Sequence, residues 1–385
     1  MNGQYELKHS SNDPLEVPIP VIKVMGLGGG GSNAINRMIE LGLSGVEYIA
    51  ANTDAQALKN SVAPVKIQLG PNLTRGLGAG GNPAVGEAAA EESRKEIQAA
   101  LQGADMVFVT AGMGGGTGTG AISVAARISR SLGAVTVGIV TSPFSFEMGK
   151  RQKNAQEGLT LLRQHTDTLI NVPNDSLLKV SPHDLPIDLA FRLADDVLRQ
   201  GIQGITQIVT QPGMINVDFS HVRNMMLTGG GALMVLGYGK GPNRAMQAVW
   251  HALNHPLLEA VSLQNATGII ANFTGGEDLA FYEVAEALNH LHSLTGDEAE
   301  IIPGINTNPQ FNDRVEVILV ITGMGGQSID KKPDQAGRER PYISGSSRLG
   351  SADNSFTKDA STRSLSGRPD YDVHSFARKK EISDE

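Results

Sequence analysis

The sequence predicts an α/β fold: a parallel sheet covered by helices, then a long helix, then a second, smaller α/β segment. Three observations carry that expectation. Short apolar runs alternate with helical periodicity from Val21 to Val172. Two glycine-rich loops each sit between such a run and a helix. An uninterrupted amphipathic stretch from about Ile187 to Thr210 ends at Pro212-Gly213.

Val21 to Met25 is apolar and leads into Gly26-Leu27-Gly28-Gly29-Gly30-Gly31-Ser32-Asn33, after which Ala34, Ile35, Met38, Ile39 and Leu41 recur at helical spacing. This reads as strand, glycine turn and helix. Similar apolar runs follow at Val46 to Ala50, Met106 to Thr110, Val135 to Val140 and Thr168 to Val172, with helical stretches from Glu87 to Leu101 and from Gly120 to Leu132. In the long stretch, Leu189, Leu193 and Val197, then Ile202, Ile205 and Ile208, fall on adjoining faces of a helix. Strand-like runs then recur at Gly230 to Gly239, Thr267 to Phe273 and Val315 to Ile321, separated by helical patterns at Arg244 to Leu253 and Leu279 to Leu291. After about Gly325 the chain is rich in Ser, Gly, Asp, Lys and Arg, too poor in apolar surface to offset the entropy of ordering. Near the end, Tyr371, Val373 and Phe376 precede a basic cluster at Arg378-Lys379-Lys380, a pattern that reads either as a solvated terminus or as a segment that folds onto a partner.

At 385 residues, the chain exceeds the size at which one core normally keeps growing, so two domains are expected. With no cysteine, disulfides, thiolate metal sites and cysteine nucleophiles are excluded. Met1 to Pro20 is polar and lacks the build of a secretory signal, and no run reaches membrane-spanning length, so direct membrane insertion is not expected. A net charge of -8 argues against nucleic acid as a partner, which normally requires a basic face.

Gly26-x-Gly28-x-x-Gly31 matches a dinucleotide fingerprint, with Asp54 at a plausible spacing for ribose contact; alone, it allows a nicotinamide-dependent oxidoreductase. A second loop, Gly112-Met113-Gly114-Gly115-Gly116-Thr117-Gly118-Thr119-Gly120, also follows a strand and opens a helix, which one such fingerprint does not need. Its glycines let consecutive amides approach an anion, the helix start adds partial positive charge, and the threonines add hydroxyls, so the two loops point to phosphate binding. The G-x-x-x-x-G-K-[ST] pattern does not occur, which separates the chain from the usual P-loop proteins. A third stretch, Gly76-Leu77-Gly78-Ala79-Gly80-Gly81-Asn82-Pro83, reads equally as a mobile loop or as a cover over a terminal phosphate. Asn216-Val217-Asp218-Phe219-Ser220-His221 offers an amide, a carboxylate and an imidazole just past the long helix, or simply a capped loop.

Together these motifs resemble the FtsZ family, the prokaryotic tubulin homologues that build the cytokinetic ring. The likeness runs from about Val21 to Thr322, with GLGGGGSNA, NTDAQAL, GLGAGGNP, GGGTGTG and NVPND all in family order. It implies a tubulin/FtsZ-type fold. A Rossmann-like GTP-binding domain would span 21–186, a central helix 187–211 and a smaller activation domain 212–325. Around these would lie a disordered extension over 1–20, a disordered linker over 326–370 and a partner-binding peptide over 371–385. The resemblance also implies a GTP/GDP site. Asn33 and Asp195 would hold guanine, the carboxylate accepting from the ring NH and the exocyclic amine, while Phe191 stacks on the base. Gly29, Gly30, Gly31 and Ser32, together with Gly115, Gly116, Thr117, Gly118 and Thr119, would surround the phosphates. Glu147 and Arg151 would contact the ribose side, and Ala79, Gly80 and Gly81 would sense the third phosphate. Asn52 and Asp54 of the NTDAQAL run join the nucleotide set, and magnesium would bridge phosphate oxygens, with no metal ligand expected from the protein.

Family members hydrolyse GTP across a subunit contact, where the loop after the central helix enters the next copy's pocket. Such a heterologous contact propagates as an open filament. The resemblance therefore implies a GTPase that forms a homopolymer, a cytoplasmic ring under the membrane at the division site, and membrane-tethering and ring-regulating partners on the C-terminal peptide. Two departures qualify it. The family pattern N-x-D-x-x-D stands here as Asn216, Asp218 and His221, and an imidazole attracts water and a cation less well than a carboxylate does. Slow hydrolysis is expected, since losing a positioned acid-base group costs about a hundredfold, unless His221 itself acts as the base. A divergent paralogue that binds GTP and co-assembles with little turnover is the alternative. The tail Asp372-Val373-His374-Ser375-Phe376-Ala377-Arg378 lacks the family's proline, and five extra residues, Glu381 to Glu385, follow its basic end.

Overall fold

The computed structural model describes residues 20–147, 149–180, 185–210, 218–228, 230–254, 258, 262–296 and 299–324. Asn216, the linker, the C-terminal peptide and all but the end of the N-terminal extension lie outside them. The first half alternates strands and helices: β1 (Ile22–Leu27), α1 (Gly28–Glu40), β2 (Glu47–Asn52), α2 (Ala55–Asn60), β3 (Val65–Gln68), α3 (Pro71–Thr74), α4 (Pro83–Glu92), α5 (Arg94–Leu101), β4 (Met106–Gly112), α6 (Thr117–Ser131), β5 (Val135–Ser142), α7 (Lys150–Arg163), β6 (Thr168–Pro173) and α8 (Asn174–Val180). The long helix α9 (Ile187–Thr210) and α10 (Phe219–Thr228) lead to the second half: β7 (Gly230–Lys240), α11 (Arg244–Leu253), β8 (Gly268–Gly275), α12 (Phe281–Leu294), β9 (Glu300–Thr307) and β10 (Arg314–Thr322). The stretch expected as one helix from Glu87 is interrupted at Ser93, whose hydroxyl accepts from Gly70 N at 3.0 Å and donates to Gln68 O at 3.2 Å.

One sheet runs through both halves in the order β3-β2-β1-β4-β5-β6-β7-β10-β8-β9. Strands β3 through β7 are parallel, and β10 is antiparallel to both β7 and β8. The long strand β7 makes the join: Gly230 to Ala232 pair with β6, and Leu233 to Lys240 pair with β10. The chain order reverses between β1 and β4, so the connections leaving their carboxyl ends diverge and open a crevice. Both glycine loops leave from that point.

Strand alternation sets the layers. On β1 and β4, Ile22, Val24, Met106 and Phe108 face one core with α1 and α9, while Met25, Leu27, Val107 and Val109 face the other with α4, α5, α6 and α7. A third core joins α11 and α12 to the far side of β7, β8 and β10. The first core also takes Ile302, Ile318 and Val320 from the second half, so α9 is buried against both. Its Ile202 and Ile205 are fully enclosed, and each such side chain contributes on the order of 2 to 3 kcal/mol.

Candidate functional site

A cavity of about 400 Å³ opens at the crevice. Gly29, Gly30 and Asn33 of α1 form one wall, and Gly112, Gly115, Gly116, Thr117 and Gly118 form its floor. Thr141 and Pro143 follow β5, Glu147 and Arg151 close one side, and Asn174, Phe191, Ala194 and Asp195 close the other. The glycines have distinct reasons to be there. A Cβ on Gly31 would lie 2.5 Å from Thr110 O, so that residue permits α1 to sit directly on the strand ends. A Cβ on Gly29 or Gly115 would meet nothing within 4 Å, so at these two positions the missing side chain leaves room on the cavity side.

The electrostatics favour an anion. Helices α1 and α6 both start at the cavity, and neither has a side-chain cap or an acidic residue in its first turn. Their first-turn N–H groups and the positive ends of two helix dipoles are therefore available to a ligand. The contrast with neighbouring helices is direct, since Asp54 caps α2 and Asn82 caps α4. At the opposite wall, burial pushes the Asp195 carboxyl up to about 7, with Arg37 opposing and Asp196 adding to the rise. Asp196 itself is held by Arg199 at 2.8 Å and Gln200 at 3.0 Å. Phe191 is 39% exposed and meets the buried Phe144 edge-on at 5.2 Å, leaving its outer surface to the cavity. Arg151 pairs with Glu147 at 2.9 Å.

Not every expected site residue lines the cavity. Gly31 and Ser32 lie buried behind it, and the Ser32 hydroxyl is a buried group without a hydrogen-bond partner among the described residues. Asn52 accepts from Asp54 N at 3.2 Å, and the Asp54 carboxylate accepts from Gln56 N and Ala57 N at 2.9 and 3.0 Å. Thr119 turns inward to accept from Gly114 N at 2.8 Å. Ala79 packs behind Gly116, while Gly80 and Gly81 have open space at their Cβ positions. Six lining residues lie outside the expected set: Gly112, Met113, Thr141, Pro143, Asn174 and Ala194. Of these, Asn174, at the carboxyl end of β6, has a buried Oδ1 with no hydrogen-bond partner among the described residues. The NVPND run marked its segment, but nothing in that run distinguishes a ligand-facing asparagine from a helix cap.

Asp218 and His221 stand elsewhere. Asp218 is exposed, and its carboxylate accepts from Ser220 N at 3.0 Å, the bond that chiefly holds its pKa below the usual range. His221 is exposed on the first turn of α10. Helix α9 has 24 residues and so extends about 36 Å, with Asp195 near the start and this segment beyond the end. The other end of α10 lies by the amino end of β6, where Thr168 donates to Met226 O, away from the strand ends that carry the cavity.

Comparisons with known proteins identify the family and the fold. Residues 21–182 match the Tubulin/FtsZ family GTPase domain, and residues 230–325 match the FtsZ family C-terminal domain. A solved FtsZ dimer from M. jannaschii is 46% identical over 80% of this chain and 90% of that chain, with a TM-score of 0.77. The chain belongs to the FtsZ family. A tryptophan-to-tyrosine mutant of M. jannaschii FtsZ is likewise 46% identical, covering 79% of this chain and 91% of that one at a TM-score of 0.77. CetZ2 of Haloferax volcanii, solved as a GTPγS-bound protofilament, shares the fold at 19% identity and a TM-score of 0.67, over 80% of this chain and 94% of that one. As an FtsZ family member, the chain is a guanine-nucleotide-binding GTPase with a tubulin-like fold. Membership removes the oxidoreductase that the first glycine fingerprint alone allows. Among the described residues, no helix is long and apolar enough to cross a membrane.

Proposed function

We propose that this chain polymerises head to tail into filaments of the cytokinetic ring, beneath the membrane in the cytoplasm, and hydrolyses GTP at each subunit contact. The observation that carries the reading is the separation of the cavity from Asp218 and His221 along α9, about 22 Å of helix between Asp195 and Thr210. A site split between opposite ends of one molecule is completed only by a second copy, and that contact does not close on itself. Exposed apolar side chains support it: Leu73, Leu77, Phe146 and Ile187 lie on the segments around the cavity, and Phe281 and Tyr282 start α12 in the other half. Surfaces of this kind mark interaction sites. The M. jannaschii dimer and the Haloferax protofilament are assemblies of similar chains.

In the bound state, the N–H groups of α1 and α6 take the phosphates, Asp195 and Asn33 take the guanine edge, and Phe191 takes its face. Arg151 and Glu147 lie at the ribose side, and Ala79 to Gly81 reach the third phosphate. Magnesium, a hard cation that favours oxygen, would be held through the nucleotide's phosphates and would neutralise charge there. Asn216 and Asp218 of the next copy orient the attacking water, and His221 slows that step. The C-terminal peptide recruits membrane tethers and ring regulators. A second reading, a paralogue that co-assembles with little turnover, is favoured by His221 alone.

GTP turnover measured together with sedimentation, for the natural protein and His221→Asp, tests the proposal. GTP-dependent polymer with slow hydrolysis that the aspartate speeds about a hundredfold supports it. Failure to sediment alone, with recovery upon adding another family member, selects the paralogue; failure in both conditions overturns polymerisation.

A further inference from the structure

Helix α7 contributes Arg151 to the cavity and, one turn later on the same side, the buried Asn154. The Asn154 Nδ2 donates to Gly81 O at 3.2 Å and to Gly114 O at 3.3 Å. A primary amide has two N–H donors, and both of these go to backbone carbonyls of different loops. Because each partner can only accept, the amide has one productive orientation.

The two loops need such a tie. The amino half of the Gly76 to Asn82 loop is fixed by its own backbone, with Ala55 N donating to Gly76 O at 3.1 Å and Gly78 N donating to Thr53 O at 3.3 Å. The Thr53 hydroxyl in turn meets that of Thr117 at 2.6 Å. Its carboxyl half is closed by Asn82 N donating to Ala79 O at 3.0 Å, but between them Gly80 and Gly81, at φ +57° and +69°, have no side chains and nothing near their Cβ positions. Asn154 reaches that half. Its second bond goes to Gly114, whose φ of +99° and close approach to Arg151 O, 2.8 Å from a notional Cβ, seat the glycine loop against α7.

We propose that Asn154 is a positioning residue that locks Gly81 to Gly114 and thereby sets how much more tightly the site holds a nucleoside triphosphate than a diphosphate. This rests on the reading that Ala79 to Gly81 meet the third phosphate. With the tie made, the loop is pre-ordered before that phosphate arrives; without it, binding must order the loop, and only the triphosphate bears the cost. Arg151 and Asn154 thus let one rigid helix register both ends of the nucleotide.

The test measures affinities for GDP and GTPγS by calorimetry, with magnesium, alongside hydrogen exchange of residues 76–82. Asn154→Leu keeps the branched outline, with somewhat more bulk, and removes both donors; Asn154→Ser is too short to span both carbonyls and substitutes if the leucine variant does not fold. The expected result is GTPγS affinity about tenfold lower, GDP affinity changed less than twofold, and faster exchange over 76–82. Asn154→Gln, which retains both donors, recovers most of the preference. An unchanged GTPγS-to-GDP ratio in Asn154→Leu, or in Asn154→Ser where the leucine variant does not fold, overturns the proposal, whatever the exchange shows. Exchange in the natural protein separates the two layers: if 76–82 is protected equally by GDP and GTPγS, the third-phosphate reading fails first and the proposal falls with it.

Discussion

If Asp195 accepts from guanine as proposed, its raised pKa of about 7 should make nucleotide binding depend on pH near neutrality. Burial is the main cause of its rise to about 7, with Arg37 acting against it and Asp196 with it. As a guanine acceptor, Asp195 must be ionised, because the ring NH and exocyclic amine are both donors. The raised value means that the nucleotide-free site holds its proton until the pH passes 7, so binding must expel it, and affinity climbs with pH through that range. At pH 6 about one Asp195 in ten is ionised, and at pH 8 about nine in ten. Since apparent affinity scales with the competent fraction, GDP should bind about tenfold more weakly at pH 6 than at pH 8. Titration of the GDP phosphate, with a pKa of about 6, overlaps this window, so the informative quantity is the difference from Asp195→Asn, which retains the phosphate effect. That variant should also shift its preference toward xanthosine diphosphate, whose carbonyl replaces the guanine amine and accepts from the new amide. Calorimetric titrations at pH 6, 7 and 8 provide the assay. Identical pH slopes for the natural protein and Asp195→Asn would refute the reasoning.

Two glycines of the same loop should respond in opposite ways. Gly115→Ala adds a methyl where nothing lies within 4 Å, so its melting temperature should hold while GDP affinity falls about tenfold; Gly120→Ala places Cβ 2.0 Å from Pro83 O and should lose roughly 1 to 3 kcal/mol or more of stability. Melting curves and GDP titrations check the pair, and matched losses of stability would contradict the geometry. Glu316 on β10 is pushed up to about 7, first by burial, against Arg199 and with Asp196. A carboxyl with a raised folded-state pKa stabilises the fold below its unfolded value, and that stability is lost as pH rises through about 7. Glu316→Gln should therefore melt at a temperature less dependent on pH between 5 and 8 than the natural protein does, as differential scanning calorimetry would show.

The parts legible in sequence are those with local causes. The glycine loops stood out because a strand, a run of glycines and a helix are consecutive, and both lie at the point where strand order reverses. The span of α9 was legible because its periodicity is unbroken and a Pro-Gly pair follows it. What escaped depends on pairing at a distance. Strand β3 buries only Ile67 of its four residues and shows no apolar run, and β9 carries Pro303 and Gly304 at the sheet edge. The continuity of the sheet depends on β7 changing partners after Ala232, which no local pattern encodes. Asp54 shows what spacing alone leaves open: it suits a ribose contact, and in the structure its Oδ1 also caps α2 by accepting from Gln56 N and Ala57 N.

The division of labour along α9 leads to a test that needs no structure of a filament. If each active site takes its cavity from one copy and Asp218 from the next, two defects on different copies must complement. Gly115→Val fills the phosphate space but leaves Asp218 intact, whereas Asp218→Ala leaves the cavity intact. Each variant alone should hydrolyse little GTP. In an equal mixture that joins at random, about a quarter of contacts pair an intact cavity with an intact Asp218, so activity should recover to about that fraction of the natural protein. These contacts hold GTP by construction, so the valine copy's own weak binding does not prevent them from forming. A site built within one molecule gives no recovery at any mixing ratio, and turnover measured across a series of ratios distinguishes the two. Recovery that peaks near equal amounts and vanishes at either extreme requires that a second copy finish the site.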